Sequence, residues 1–193
     1  PMAFRNIKYQ LLKESNVTLS NLSYSTYKGN FKGLEELETA NGTREKSAKL
    51  IDITVINEED HYGIVYKGKI NVPKADDYVF SIGYTGGIHF TIDGKNIVTN
   101  NSSDSEENLE KTVSLLEGDH IFTLTNIKDA GWRAPRLGLS IATKNTKPKI
   151  FNAYDSYPPK INSVSPILVN TEATPRMLRG FVSFEGNQER LSH

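Results

Sequence analysis

The stretch Tyr78–Val98, YVFSIGYTGGIHFTIDGKNIV, decides how the rest of the chain is read. Tyr78, Phe80, Ile82 and Tyr84 fall on one face of an extended backbone, and Ile88, Phe90 and Ile92 resume the pattern after a glycine pair. A period of two in aromatic and β-branched residues is the signature of strands with one buried face. The simplest reading is a hairpin. A two-residue Gly86-Gly87 loop would set Ile82 against Thr91, apolar against polar. A three-residue loop, Thr85-Gly86-Gly87, pairs Ile82 with Phe90 and Phe80 with Ile92 and keeps one face apolar, and a slip of one residue would invert that face. Asp93-Gly94 then predicts a second, tight turn that sends Asn96-Ile97-Val98 back as a third strand.

Working outward, the same alternation recurs. Ile51, Ile53 and Val55 predict a half-buried strand, and Ile64, Tyr66, Gly68, Ile70 and Val72 a long one ended by Pro73, which cannot donate to a ladder. Val113 and Leu115 start a strand that a hairpin turn at Glu117–His120 joins to Phe122 and Leu124. Leu137, Leu139 and Ile141 form the last. Leu34–Leu37 predicts one short helical turn. Residues 13–30 read as polar and irregular, Asn57–Asp60 as an acidic loop, and Asn100–Glu110 as a surface loop. Many short strands with Gly, Asn and Asp turns predict an all-β chain with little helix: an antiparallel, jelly-roll-like β-sandwich.

Composition removes several functions. Lysine plus arginine and aspartate plus glutamate both number 23, so there is no basic excess to meet nucleic acid. The absence of cysteine removes a disulfide framework, a thiolate nucleophile and a zinc–cysteine site. No apolar run approaches the roughly 18–20 residues that insertion as a membrane helix needs. No Gly-x-Ser-x-Gly elbow is present, the four histidines are scattered, and the carboxylates lie in turns, where capping backbone N–H groups is their usual work. No catalytic residues, metal site or cofactor are therefore expected.

Four motifs carry a resemblance: Tyr27-x-Gly29-x-Phe31-x-x-Leu34, YGIVYKGKINVP, DDYVFSIGYTGGIHFTIDGKNIV and VSLLEGDHIFTL. Together, over about residues 24–143, they resemble the protective-antigen-type (PA-fourteen) module of bacterial glycosidases, fungal flocculins and the anthrax protective antigen. The resemblance implies a β-sandwich, and several members bind carbohydrate. In calcium-dependent members two adjacent aspartates precede the second of the two central strands and hold the ion. The matching positions here are Thr85 and Gly86, while Asp76-Asp77 sits in an earlier turn. Without two carboxylates, calcium, which wants six to eight oxygen ligands, is not expected. Sugar, if bound, is expected at the Trp132-Arg133 loop with His89 or Asp93, since an indole face packs on a pyranose. The alternative for Trp132 is a core plug at one end of the sandwich.

The expected organisation is a strand in residues 1–15, the sandwich over 16–143, and a proline-rich extended segment over 144–193. PMAFRNIKYQLL resembles the closing strand of a hydrolase-type jelly roll and equally suits an edge strand of the present domain. RGFVSFEGNQERLSH resembles a segment that follows such modules in multidomain bacterial proteins. The tail is too apolar for a free linker, so part of it is expected to pack on the sandwich. The functional expectation is a non-catalytic carbohydrate-binding or adhesion module of a larger bacterial protein, extracellular, periplasmic or at the cell surface, with glycan and neighbouring domains as partners. The alternative is a ligand-free spacer between enzyme domains.

Overall fold

A computed structural model describes residues 11–56, 61–129, 131 and 133–153, and the backbone of 161–164, 179–184 and 187–192. The acidic loop Asn57–Asp60, Trp132 and residues 1–10 lie outside the described residues, so the expectations placed on them are not addressed. The chain divides into two compact units, residues 1–157 and 158–193.

In the first unit the strands are β1 (Thr18–Tyr27), β2 (Lys46–Ser47), β3 (Tyr62–Val72), β4 (Asp76–Thr85), β5 (Gly87–Ile92), β6 (Lys95–Asn100), β7 (Glu106–Leu115), β8 (Gly118–Lys128), β9 (Leu137–Thr143) and β10 (Lys149–Ile150). They form a six-stranded sheet in the order β2-β1-β3-β8-β5-β6 and a four-stranded sheet in the order β10-β9-β4-β7. All these pairings are antiparallel. The chain is an all-β antiparallel sandwich. In the second unit β11 (Ile161–Val164), β12 (Arg179–Phe184) and β13 (Asn187–Ser192) make a three-stranded antiparallel sheet.

The inward faces of the two large sheets supply the core. Tyr78, Phe80, Ile82, Leu137, Leu139 and Ile141 from one meet Ile64, Tyr66, Ile70, Phe90, Ile92, Phe122 and Leu124 from the other, all buried. The Phe90 ring lies 5.7 Å from that of Phe80 and 6.3 Å from that of Phe122, both tilted, in the range where aromatic pairs gain beyond simple burial. A smaller cluster of Phe31, Leu37 and Ile127 covers the outer face of the six-stranded sheet. There Leu34–Glu38 forms the expected helical turn, of 3-10 type.

The central expectation needs correction. β4 and β5 are not a hairpin: β4 pairs with β7 and β9, whereas β5 pairs with β6 and β8. The segment Thr85-Gly86-Gly87 is an arch that carries the chain from one sheet to the other. Ile82 therefore opposes Leu139 and Leu109 rather than Phe90, and Ile92 opposes Lys95 and Phe122 rather than Phe80. The alternation is correct but satisfied differently. Two strands facing across a core need the same inward pattern as two strands side by side, so periodicity cannot separate the cases. Glu117–His120 is likewise not a hairpin turn, because β7 and β8 lie in different sheets.

The Asp93-Gly94 turn forms as expected. Both residues have positive φ, 50° and 74°, the geometry of the two-residue turn that suits strand twist. β6 returns beside β5, with a register shift between Phe90 and Thr91.

Three local expectations also change. Residues 18–27 are a strand, not an irregular stretch. β1 is rich in serine and threonine because only Leu22 on it is fully buried. Ile53–Val55 is a 3-10 turn rather than a strand; Asp52 Oδ1 accepts from Thr54 N at 2.9 Å and caps it. Glu106–Glu110 belongs to β7 and not to a loop, its polar side chains being tolerated on an edge strand whose residues are largely exposed. The start of the tail packs on the sandwich: β10 pairs with β9, Phe151 is buried, and Ile51 N donates to Phe151 O at 2.9 Å.

Candidate functional site

Strand register gathers the loops at two ends. At one end lie the arch, the β6–β7 loop (Asn101–Ser105), the described residues of the β8–β9 connection (129, 131 and 133–136) and the segment leading into the Leu34–Glu38 turn. At the other lie Asp93-Gly94, Leu116-Glu117 and the Pro73–Ala75 connection.

The arch is held by a buried polar network. Asn126 follows Phe122 and Leu124 on the inward face of β8, and is fully buried. Its Nδ2 donates to Thr85 O at 3.0 Å and to Gly87 O at 2.8 Å, one on each side of Gly86. Its Oδ1 accepts from the Tyr62 hydroxyl at 2.8 Å, and burial raises the Tyr62 pKa so that this phenol stays a neutral donor. From the outer side, Gly86 N donates to Ser105 O at 2.6 Å and Ser105 Oγ donates to Gly86 O at 2.7 Å. Asn100 Nδ2 reaches Tyr84 Oη, Ser105 Oγ and Glu107 Oε1, each at 3.1 Å. Buried hydrogen-bond networks of this kind rigidify the backbone that they hold.

The β6–β7 loop is the hub of this end. Asn101 Oδ1 accepts from Leu34 N at 2.7 Å and its Nδ2 donates to Glu35 Oε2 at 3.1 Å. Arg133 Nη1 pairs with Asp104 Oδ1 at 2.6 Å and also reaches Asp104 O at 3.1 Å, with Glu106 Oε2 3.7 Å from Nε. Lys32 pairs with Asp129. The result is an exposed rim of amides and ion pairs above a rigid arch.

The sequence-predicted residues fall in three places. Thr85, Gly86 and Arg133 share the loop end. His89 lies midway along β5 on the outer face of the six-stranded sheet, opposite Thr99 and Thr125. Asp93 lies at the far end, a strand of six residues away, or about 20 Å at the usual rise. Its carboxylate accepts from Ile121 N at 2.9 Å and meets His120 Nδ1 at 2.6 Å. Asp93 and Arg133 are therefore not brought together. Asn126, Asn100 and Ser105 were not singled out from sequence, and Asn101 only as the first residue of an Asn-x-Ser sequon. A polar residue at the inward position after Phe122 and Leu124 was the available signal for Asn126; the others lie in the stretch read as loop.

Thr85 and Gly86 do not fit the divalent cation that the resemblance implies at their positions. Neither carries a carboxylate. Thr85 is fully buried, and its hydroxyl has no hydrogen-bond partner among the described residues. Gly86 has φ +91°, and a Cβ there would lie 1.9 Å from Ile127 O, so this backbone admits no side chain at all. Among the described residues no group of three or more histidines or carboxylates is arranged to hold a metal ion, and no helix is long and apolar enough to cross a membrane.

No family model and no curated protein sequence matches the chain. Solved structures do. The chain is similar to the PA14 domain of the MpAFP antifreeze protein, with a TM-score of 0.56 at 11% identity, covering 78% of this chain and 93% of that one. It is also similar to an anti-sigma factor domain-containing protein, with a TM-score of 0.56 at 15% identity over 83% of this chain and 52% of that one. A third likeness is to an epithelial adhesin A domain (subtype-switched Epa9) from Candida glabrata in complex with β-lactose, with a TM-score of 0.50 at 13% identity over 79% and 95%. At these identities the likeness is one of architecture, and in architecture the chain is a PA14-like β-sandwich module.

Proposed function

We propose that this chain is a non-catalytic carbohydrate-binding or adhesion module, acting at the outside of a bacterial cell as part of a larger exported protein. The observation that carries the reading is the fold shared with an adhesin domain that holds β-lactose. The loop end supports it: a braced arch beneath exposed amides and charged pairs offers many donors and acceptors at little ordering cost. We assign sugar contact to the Trp132-Arg133 loop, by stacking and direct hydrogen bonds rather than through a cation.

The test is a glycan array on the whole chain, followed by calorimetry on any hit, with and without chelator. Binding that survives chelation and weakens about five- to thirtyfold in Trp132→Ala is the expected result, since aromatic stacking on a ligand is worth on the order of 1–2 kcal/mol. Silence across the array would favour a spacer without ligand. Turnover of a glycoside by the isolated chain would overturn the non-catalytic reading.

A further inference from the structure

An open groove of about 790 Å³ crosses the outer face of the four-stranded sheet. Its floor lacks bulk. Ser81 lies opposite Ser140, and Gly83 opposite Gly138, on the outward face of β4 and β9. On one side stand Glu110 and Asn108 of β7, opposite Ser81 and Gly83. On the other stand Ile150, 66% exposed, and Asn152. From β10 to β7 the groove spans four strands, or about 14 Å at the usual spacing.

Arg136 is what makes this groove more than a depression. Its backbone is fixed, Thr85 N donating to Arg136 O at 3.0 Å. Its guanidinium lies on the sheet over Gly83, where a Cβ would come within 2.8 Å of it and within 2.9 Å of Asn108 Oδ1. The side chain is half-buried, yet no described residue takes a hydrogen bond or an ion pair from it. A guanidinium is a rigid fork of N–H donors suited to a planar carboxylate. Around it, Asn152 Oδ1 accepts from Leu139 N at 3.2 Å, which leaves its Nδ2 to donate outward. Glu110 Oε1 accepts from Ser81 Oγ at 3.1 Å and retains acceptor capacity.

We propose that this groove is a second glycan-contacting surface, specific for an acidic sugar. The carboxylate of a uronic acid residue pairs with Arg136. Hydroxyls of that residue and its neighbours bond Asn108, Glu110, Ser140 and Asn152, and an apolar ring face packs on Ile150. With Arg136 the one cation among the described residues that line it, and with the carboxylate of Glu110 beside it, the groove suits a hydroxyl-rich chain with spaced carboxylates and disfavours a phosphate-dense one. The inference rests on the glycan-binding reading above.

The experiment compares binding of a short galacturonic acid oligomer with its carboxyl-reduced, neutral counterpart, on the whole chain and on four variants, alongside the glycan array. Arg136→Ala should weaken the acidic oligomer about ten- to hundredfold, the worth of a charge-assisted hydrogen bond, and Arg136→Lys should restore part of that loss. Gly138→Leu should block both oligomers; its Cβ meets nothing closer than Asn152 Oδ1 at 3.5 Å, and thermal unfolding of the variant, with Gly138→Ala beside it, separates a blocked groove from a damaged fold. Equal affinity for the two oligomers overturns the groove and leaves the glycan reading standing. So does acidic binding that ignores Arg136→Ala but is lost in Trp132→Ala. Failure of every glycan, acidic or neutral, overturns both.

Discussion

Two glycine turns lie within ten residues of each other and do opposite things. Thr85-Gly86-Gly87 joins β4 to β5 across the sandwich, whereas Asp93-Gly94 joins β5 to β6 within one sheet. Both follow alternating strands, and in both a glycine has positive φ. Their surroundings differ completely. Every residue from Tyr84 to Ile88 is buried, while Asp93 and Gly94 are exposed. A Cβ at Gly86 would collide with a carbonyl oxygen at 1.9 Å, but at Gly94 it would meet nothing within 4 Å. One glycine serves packing and the other serves only a dihedral angle. The arch is packed under the end of the core, so its backbone groups need internal partners; the hairpin turn has water.

The comparison can be broken most forcefully in the core that the arch creates. Phe80→Ala or Phe90→Ala should each cost roughly 3–5 kcal/mol in denaturant unfolding, both rings being fully buried. Because the rings touch across the two sheets, the double variant should show a coupling of about 0.5–1.5 kcal/mol. Costs under about 1 kcal/mol at both sites would mean that the face is exposed and the strand assignment wrong.

The turns themselves give the next effect. Gly86→Ala should destabilise by roughly 3 kcal/mol, combining backbone strain with a steric clash. Gly94→Ala should lose only about 1 kcal/mol, the cost of left-handed backbone in open space. Equal losses at the two positions would erase the distinction between arch and hairpin.

The smallest effect concerns the hairpin end. Burial of the His120 ring opposes its charge, but hydrogen bonds to the Asp93 carboxylate and to Leu116 O, at 2.6 and 2.8 Å, outweigh this and raise its pKa above the ordinary value. A histidine whose folded-state pKa is raised stabilises the fold fully below its unfolded value, about 6.5. That contribution is lost as pH rises through the higher folded-state value. Thermal unfolding should therefore show stability declining from about pH 6.5 upward, with the slope much reduced in Asp93→Asn. An unchanged slope in that variant would remove Asp93 as the partner.

Long, well-alternating strands such as β3, β8 and β9 were legible because their two faces differ in chemistry. β1 was not: in TLSNLSYSTY serine and threonine occupy both faces, and only Leu22 is fully buried. The first half of β7 was hidden for a related reason, since an exposed edge strand can be as polar as a loop. At the loop end Arg133 was legible as a charge in a glycine- and proline-flanked segment. Its partners Asp104 and Glu106, some 30 residues earlier in the chain, were not.

By itself the sequence determined that the chain is all-β, that Phe80, Ile82, Phe90, Ile92, Phe122 and Leu124 face a common interior, and that Asp93-Gly94 turns tightly. These are local properties, written in side-chain alternation and backbone preference. Only the tertiary structure decided that β4 and β5 belong to different sheets, that Asn126 clasps both sides of Gly86, and that Arg136 lies over Gly83. Each depends on which distant strand becomes a neighbour, and a residue's own periodicity carries no record of its partner's identity.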